Sequence, residues 1–153
     1  SWNSKSSIDK DIILDILGYP KGLQEKIDKI KNGVLLLTSS YCKDGNCTEE
    51  TQIKMYREII ENYGEERIII KPHPNDFIPY EIYFPKSTIL HERFPIELFL
   101  LCGGTIKCVA GIDSNALSFL ESRYPVERYP ELPLKYGIKY DHIAQVLNAD
   151  QYR

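Results

Sequence analysis

The run Ile68-Ile69-Ile70, closed abruptly by Lys71-Pro72-His73-Pro74-Asn75-Asp76, constrains the fold more than any other stretch. Three β-branched residues in succession leave no polar face. The segment therefore reads as a strand covered on both sides, the condition of a parallel sheet between helices. Each proline fixes its own backbone and biases the residue before it toward extended conformations. His73 is thus expected on a stiff loop at the carboxyl end of a buried strand, the edge at which open α/β sheets bind ligands. Histidine is also the side chain whose proton moves most easily near neutral pH.

The rest of the chain alternates in the same sense. Ile8, Ile12, Ile13, Ile16 and Leu17 recur at helical spacing, and Gly18 and Pro20 end that helix. Leu23, Ile27 and Ile30 mark a second, stopped at Asn32-Gly33. Val34 to Thr38 reads as a buried strand, followed by a polar loop from Ser39 to Asn46. Thr48 can cap a helix whose first turn carries Glu49 and Glu50 and whose apolar face is Ile53, Tyr56, Ile59 and Ile60. Strands are expected over Arg67 to Lys71, Ser87 to Leu90 and Thr105 to Ala110. Helices are expected from Pro95 through Leu101 and from the Ser114 cap through Leu120. The segment from Tyr124 to Leu134 reads as extended, and a last helix is expected over Tyr140 to Leu147. This alternation predicts an α/β fold: a parallel sheet with helices on both faces, in one domain over residues 1–153.

Composition narrows the function classes. A chain of 153 residues with formal charge -3 has a real core and no basic excess of the kind a nucleic-acid binder shows. No apolar run approaches a membrane-spanning length. No charged-then-apolar leader opens the chain, and it starts at Ser1, so we read it as a processed or excised piece not secreted in this form. Cys42, Cys47, Cys102 and Cys108 match no zinc spacing and are expected as free thiols. Cys42 and Cys47 flank a turn and pair only if oxidised.

Three strand ends carry polar groups: Asp44-Gly45, then Lys71 and His73, then Ser114-Asn115. A parallel sheet brings them to one edge. A small hydroxyl at a helix start beside Lys71 and His73 suits a phosphate, and a carboxylate at Asp44 suits proton abstraction from a hydroxyl. Each residue has a plainer role open to it. Ser114 is a helix cap, Asp44-Gly45 a common turn pair, His73 a turn residue, and Glu97 the solvent face of a helix. No metal cluster is read, and His91 and His142 follow no pattern.

In order along the chain, several pieces are similar to one family. Leu36-Leu37-Thr38-Ser39-Ser40 leads to Asp44-Gly45, and Tyr56-Arg57-Glu58-Ile59-Ile60 precedes Ile70-Lys71-Pro72-His73-Pro74. Phe94-Pro95-Ile96-Glu97-Leu98 follows, then Gly111-Ile112-Asp113-Ser114-Asn115-Ala116-Leu117. From Val34 to Leu120 the chain resembles the carboxyl-terminal, nucleotide-binding half of bacterial sialyltransferases of glycosyltransferase family 52, which include lipooligosaccharide and capsule enzymes. The resemblance implies a Rossmann-like half of a two-domain GT-B enzyme, with residues 121–153 an extension. It implies a donor, cytidine monophosphate (CMP)-sialic acid, from which CMP leaves with inversion and without a metal or other cofactor. It implies that His73 meets the departing phosphate as general acid or electrostatic stabiliser. Ser114 and Asn115 would bind phosphate oxygens, Glu97 the ribose hydroxyls, and Lys71 and Pro74 would border cytosine or phosphate. Asp44 matches the position of the general base.

Three departures stand beside the match. Lys43 occupies the place of an acidic partner of Asp44, so Glu49 or Glu50 is an alternative base. Asn115 stands where a second serine is common. The length admits only one of two Rossmann domains. The partners implied are the nucleotide sugar, a glycan acceptor, the missing amino-terminal acceptor domain and a second copy of the chain, with no nucleic acid. The expected location is the cytoplasm, or the inner face of the bacterial membrane as a peripheral protein. Two other readings are carried: a transferase using CDP-glycerol, which also releases CMP, and a non-catalytic sugar-nucleotide-binding module.

Overall fold

The computed structural model describes residues 1–102 and 105–138. Its strands are β1 (Val34–Leu37), β2 (Ile68–Lys71), β3 (Thr88–Ile89), β4 (Cys108–Gly111) and β5 (Val126–Arg128). They pair in parallel throughout, in the order β3-β2-β1-β4-β5. The central strands are apolar because neither face meets water. Val34, Leu36, Ile68, Ile70, Cys108 and Ala110 join one core, while Leu35, Leu37, Ile69 and Val109 join the other. Alternation along a strand sends neighbours to opposite faces, so a run buried on both sides has to be apolar at every position.

The helices divide between those faces. The first core takes Ile53, Tyr56, Ile59 and Ile60 of α3 (Glu49–Glu61) and Tyr80 of α4 (Tyr80–Tyr83). The opposite core takes Leu23 and Ile27 of α2 (Leu23–Asp28), Leu98 and Phe99 of α5 (Leu98–Cys102), and Leu117 and Leu120 of α6 (Asn115–Leu120). From β1 the chain builds outward through α3 to β2 and through α4 to β3. It then crosses back under the sheet to β4 and builds outward the other way to β5. The direction of winding reverses between β1 and β4. The loops leaving their carboxyl ends part toward opposite faces and open a crevice there.

Local chemistry explains where these elements start. The Thr48 hydroxyl accepts from the Thr51 N–H at the start of α3, and Ser114 accepts from the Ala116 N–H at the start of α6. Several boundaries differ from the sequence expectation. Arg67 lies in a single 3₁₀ turn, Glu65–Arg67, and α5 begins at Leu98, with Pro95 supplying a carbonyl to the Leu98 N–H. Residues 124–134 are not simply extended. They form β5 and then α7 (Glu131–Lys135), because Pro133 falls in the first turn of that helix, where a missing N–H costs no intrahelical bond. The short α4, among prolines and tyrosines, gave no helical period.

The first helix, α1 (Ser7–Ile16), forms where its spacing predicts, but Ile8, Ile12 and Ile16 remain 70%, 53% and 77% exposed. The helix expected over Tyr140 to Leu147 lies outside the described residues, as does His142. Among the described residues no helix is long and apolar enough to cross a membrane. The four cysteines are free, and burial pushes the Cys47 thiol up to about 11, away from the thiolate that would react.

Candidate functional site

The register of β1 on β2 sets Leu37 beside Lys71. One residue further, the Thr38 N–H donates to the Lys71 carbonyl at 3.3 Å, and the His73 N–H donates to the Thr38 hydroxyl at 3.1 Å. Pro72 has no N–H for the ladder, so a side chain of the neighbouring strand end takes over the pairing. The loop then closes on itself, with the Asp76 N–H donating to the His73 carbonyl at 2.8 Å. The Asn75 N–H donates to His73 Nδ1 at 3.0 Å. That bond engages the Nδ1 lone pair, so the ring carries its proton on Nε2. His73 thereby enters the site as an N–H donor of fixed tautomer.

Beneath this loop lies a buried polar cluster. The Asp76 carboxylate accepts from the Thr38 hydroxyl at 2.6 Å, from the Tyr80 hydroxyl, and from the Ile78 N–H at 3.3 Å. Gln52, wholly buried on α3, accepts from the Cys42 N–H at 2.8 Å and donates to the Ser39 carbonyl at 2.8 Å. Its amide nitrogen also lies 3.0 Å from the Tyr80 hydroxyl and 3.3 Å from Asp76 Oδ2. Burial raises the Asp76 carboxyl above its ordinary value, and the donors from Thr38, Tyr80 and Ile78 offset only part of that shift. Tyr56, also buried, accepts the Ser39 N–H at 2.7 Å.

A cleft of about 550 Å³ opens at the crevice between β1 and β4, and Asp44, Lys71, His73, Pro74, Ser114 and Asn115 all line it. Three loops far apart in sequence thus meet at one edge, as their strand-end positions predict. A second depression of about 510 Å³ lies across the His-Pro loop, bounded by Phe77, His91 and Arg93, so Lys71 to Pro74 form the wall between the two. Lys71 is held along this wall. Its ammonium donates to the Glu92 carbonyl at 2.9 Å and sits 4.5 Å from the centre of the Phe94 ring. Burial, with Arg93 adding repulsion, holds its pKa below the usual lysine range.

Asp44 is exposed on the lip of the cleft, on a turn that needs the left-handed Gly45 (φ 79°), and its carboxylate accepts from the Ser40 hydroxyl at 2.8 Å. The Ser114 oxygen receives the Ala116 N–H at 3.3 Å, so this residue does cap its helix, and its own O–H remains a donor. Beside it, Asp113 accepts from the Ser39 hydroxyl at 2.6 Å, tying the β1 and β4 loops across the crevice. Glu97 is not brought in: it is exposed on the turn before α5 and does not line the cleft. Glu49 accepts from the Tyr83 hydroxyl and Glu50 pairs with Lys54, and neither lines the cleft.

Thr38, Ser39, Gln52, Asp76 and Asp113 carry the geometry of the site, yet nothing marks them individually in the sequence. Among the described residues no group of three His, Cys, Asp or Glu side chains gathers where a metal ion could sit.

A family model described as glycosyltransferase family 52 matches residues 1–126. An uncharacterized protein of Haemophilus influenzae is 29% identical over 146 residues, covering 92% of this chain and 47% of that protein. The chain therefore spans about half the length of the curated relative it matches. No solved structure matches.

Proposed function

The chain belongs to glycosyltransferase family 52, and on that premise we propose that it is the donor-nucleotide half of a sialyltransferase of the GT-B type, binding CMP-sialic acid at the crevice between β1 and β4. A glycan hydroxyl attacks the anomeric carbon, the bond from that carbon to the phosphate oxygen breaks, and CMP departs with the electron pair and with inversion. The hydroxyl proton passes to Asp44. An oxocarbenium-like transition state leaves most of the developing charge on the phosphate, so donors aimed there supply the larger share of the acceleration. His73 Nε2–H is the first such donor, with the Ser114 hydroxyl and the Asn115 amide facing the same space. A late proton transfer asks only a modest base of the exposed, Ser40-bonded Asp44.

The single observation that carries this reading is the meeting of His73, Asp44 and the Ser114-Asn115 pair around one cleft at the reversal point of the sheet. The acceptor site and the remaining walls belong, on this reading, to a second domain of the full-length protein.

Calorimetric titration with CMP-sialic acid, CDP-glycerol and UDP-sugars tests the donor class. CMP-sialic acid should bind most tightly, and preference for a uridine nucleotide would overturn the cytidine assignment. In the full-length enzyme, His73→Ala should abolish most transfer. Intact transfer would remove His73 from the chemistry.

A further inference from the structure

We propose that Gln52 and Asp76 are positioning residues that lock the loop carrying Asp44 to the loop carrying His73, fixing the distance between the base and the phosphate donor. The inference rests on the assignment of transfer chemistry to this cleft.

Gln52 holds the Asp44 loop at two points, through the Cys42 N–H and the Ser39 carbonyl. The same amide nitrogen reaches Asp76 and Tyr80, which anchor the far end of the His-Pro loop. Asp76 in turn accepts a hydrogen bond from the Thr38 hydroxyl, which turns a lone pair of that oxygen toward the His73 N–H. A continuous path of hydrogen bonds therefore runs from the Asp44 loop through Gln52, Asp76 and Thr38 to the backbone of His73. Gln52 lines neither depression, so it acts only through others.

Stability alone does not call for this cluster. Apolar side chains of similar volume fill such a space at equal or lower free-energy cost, whereas a buried amide, carboxylate, hydroxyl and phenol have to satisfy one another completely. What the network supplies is direction. Each bond admits a narrow range of angles, and the two loops meet through several of them at once. Misplacing a reacting group by about 1 Å can cost on the order of 10²-fold in rate.

The test compares Gln52→Met, Thr38→Val and Thr38→Ser in the full-length enzyme, alongside long-range 15N spectra of the His73 ring in this chain without ligand. Gln52→Met and Thr38→Val should each lower kcat and kcat/KM together by on the order of 10²-fold, with KM for the donor close to wild type, the pattern of an interaction felt in the transition state. Thr38→Ser keeps the hydroxyl and should restore the rate. In the spectra, the wild-type ring should show the single Nε2–H tautomer, and Thr38→Val should average the two tautomers.

A folded Thr38→Val with wild-type kcat and an unchanged ring spectrum overturns the proposal, as does a loss of rate that Thr38→Ser fails to restore. If Gln52→Met does not fold, the Thr38 pair decides. If the wild-type enzyme neither binds CMP nor transfers sialic acid, the function assigned to the cleft is wrong, and the ring spectra alone then decide the positioning.

Discussion

Replacing Gly111 by alanine opposes two effects whose sizes can be compared. Gly111 ends β4, and its backbone is one that any residue adopts, so the substitution carries no conformational strain. It also stiffens the unfolded chain, a gain of about 0.4–1 kcal/mol. Against this, an added Cβ would lie 3.1 Å from the Leu37 carbonyl and 3.1 and 3.2 Å from the two Leu117 methyl carbons. The carbonyl belongs to β1, which is paired on both sides and cannot retreat. Leu117 is buried against the same sheet and has little room to turn. Overpacking of this kind costs about 1–3 kcal/mol.

Taking the middle of each range, the net expectation is a loss of about 1.3 kcal/mol, or a fall in Tm of roughly 3–5 °C for a domain of this size. Urea unfolding followed by circular dichroism should show a lower midpoint at unchanged slope. Adding Leu117→Val shortens the side chain by one methylene and draws both opposing methyl groups back, so the double variant should lose less than the sum of the single ones. A midpoint equal to or above wild type for Gly111→Ala would refute the reasoning, because Leu117 would then have turned aside and the gap between α6 and the sheet would be slack.

Three further outcomes follow from the same geometry. Tyr56→Phe leaves the Ser39 N–H without its acceptor and should cost about 1–3 kcal/mol in urea unfolding, and wild-type stability would mean that water reaches that N–H. Asp44→Asn in the full-length enzyme should lower turnover by about 10²–10⁴-fold with CMP affinity near wild type, and unchanged turnover would place the base elsewhere. Asp76 has a folded-state pKa above its unfolded value near 3.9, so the folded protein holds a proton that the unfolded chain has already released. Its contribution is complete below the unfolded pKa and fades as pH rises through the folded one. The stability gap between wild type and Asp76→Asn should therefore narrow as pH rises from about 3 through the acid range, whereas a widening gap would reverse the assigned shift.

Much of the fold was legible locally. Ile68-Ile69-Ile70 and Val34 to Leu37 have no polar face, which is a direct consequence of burial on both sides of a sheet. Thr48 and Ser114 announce helix starts because a cap is satisfied within three residues of itself. The proline-fenced His73 could be placed at a strand end because proline acts on its immediate neighbours. Glu97 shows the limit of the same method. A motif position does not say whether a carboxylate lines the cleft, and Glu97 is exposed and does not line it.

The sequence by itself determined that the segments of β1 to β4 are strands, and that a histidine, an aspartate and a serine each follow such a strand. Only the tertiary structure decided that these ends share one crevice, because that depends on the order β3-β2-β1-β4-β5 and the reversal beside β1. It also decided that Gln52 and Asp76 meet. Gln52 sits one turn into α3, and Asp76 lies 24 residues further along the chain. What joins them is the pairing of Leu37 with Lys71, which brings the two loops above them into hydrogen-bonding reach. Periodicity and capping are fixed by neighbours along the chain. A network satisfied across three elements is fixed by register, to which no single stretch of sequence gives a signal.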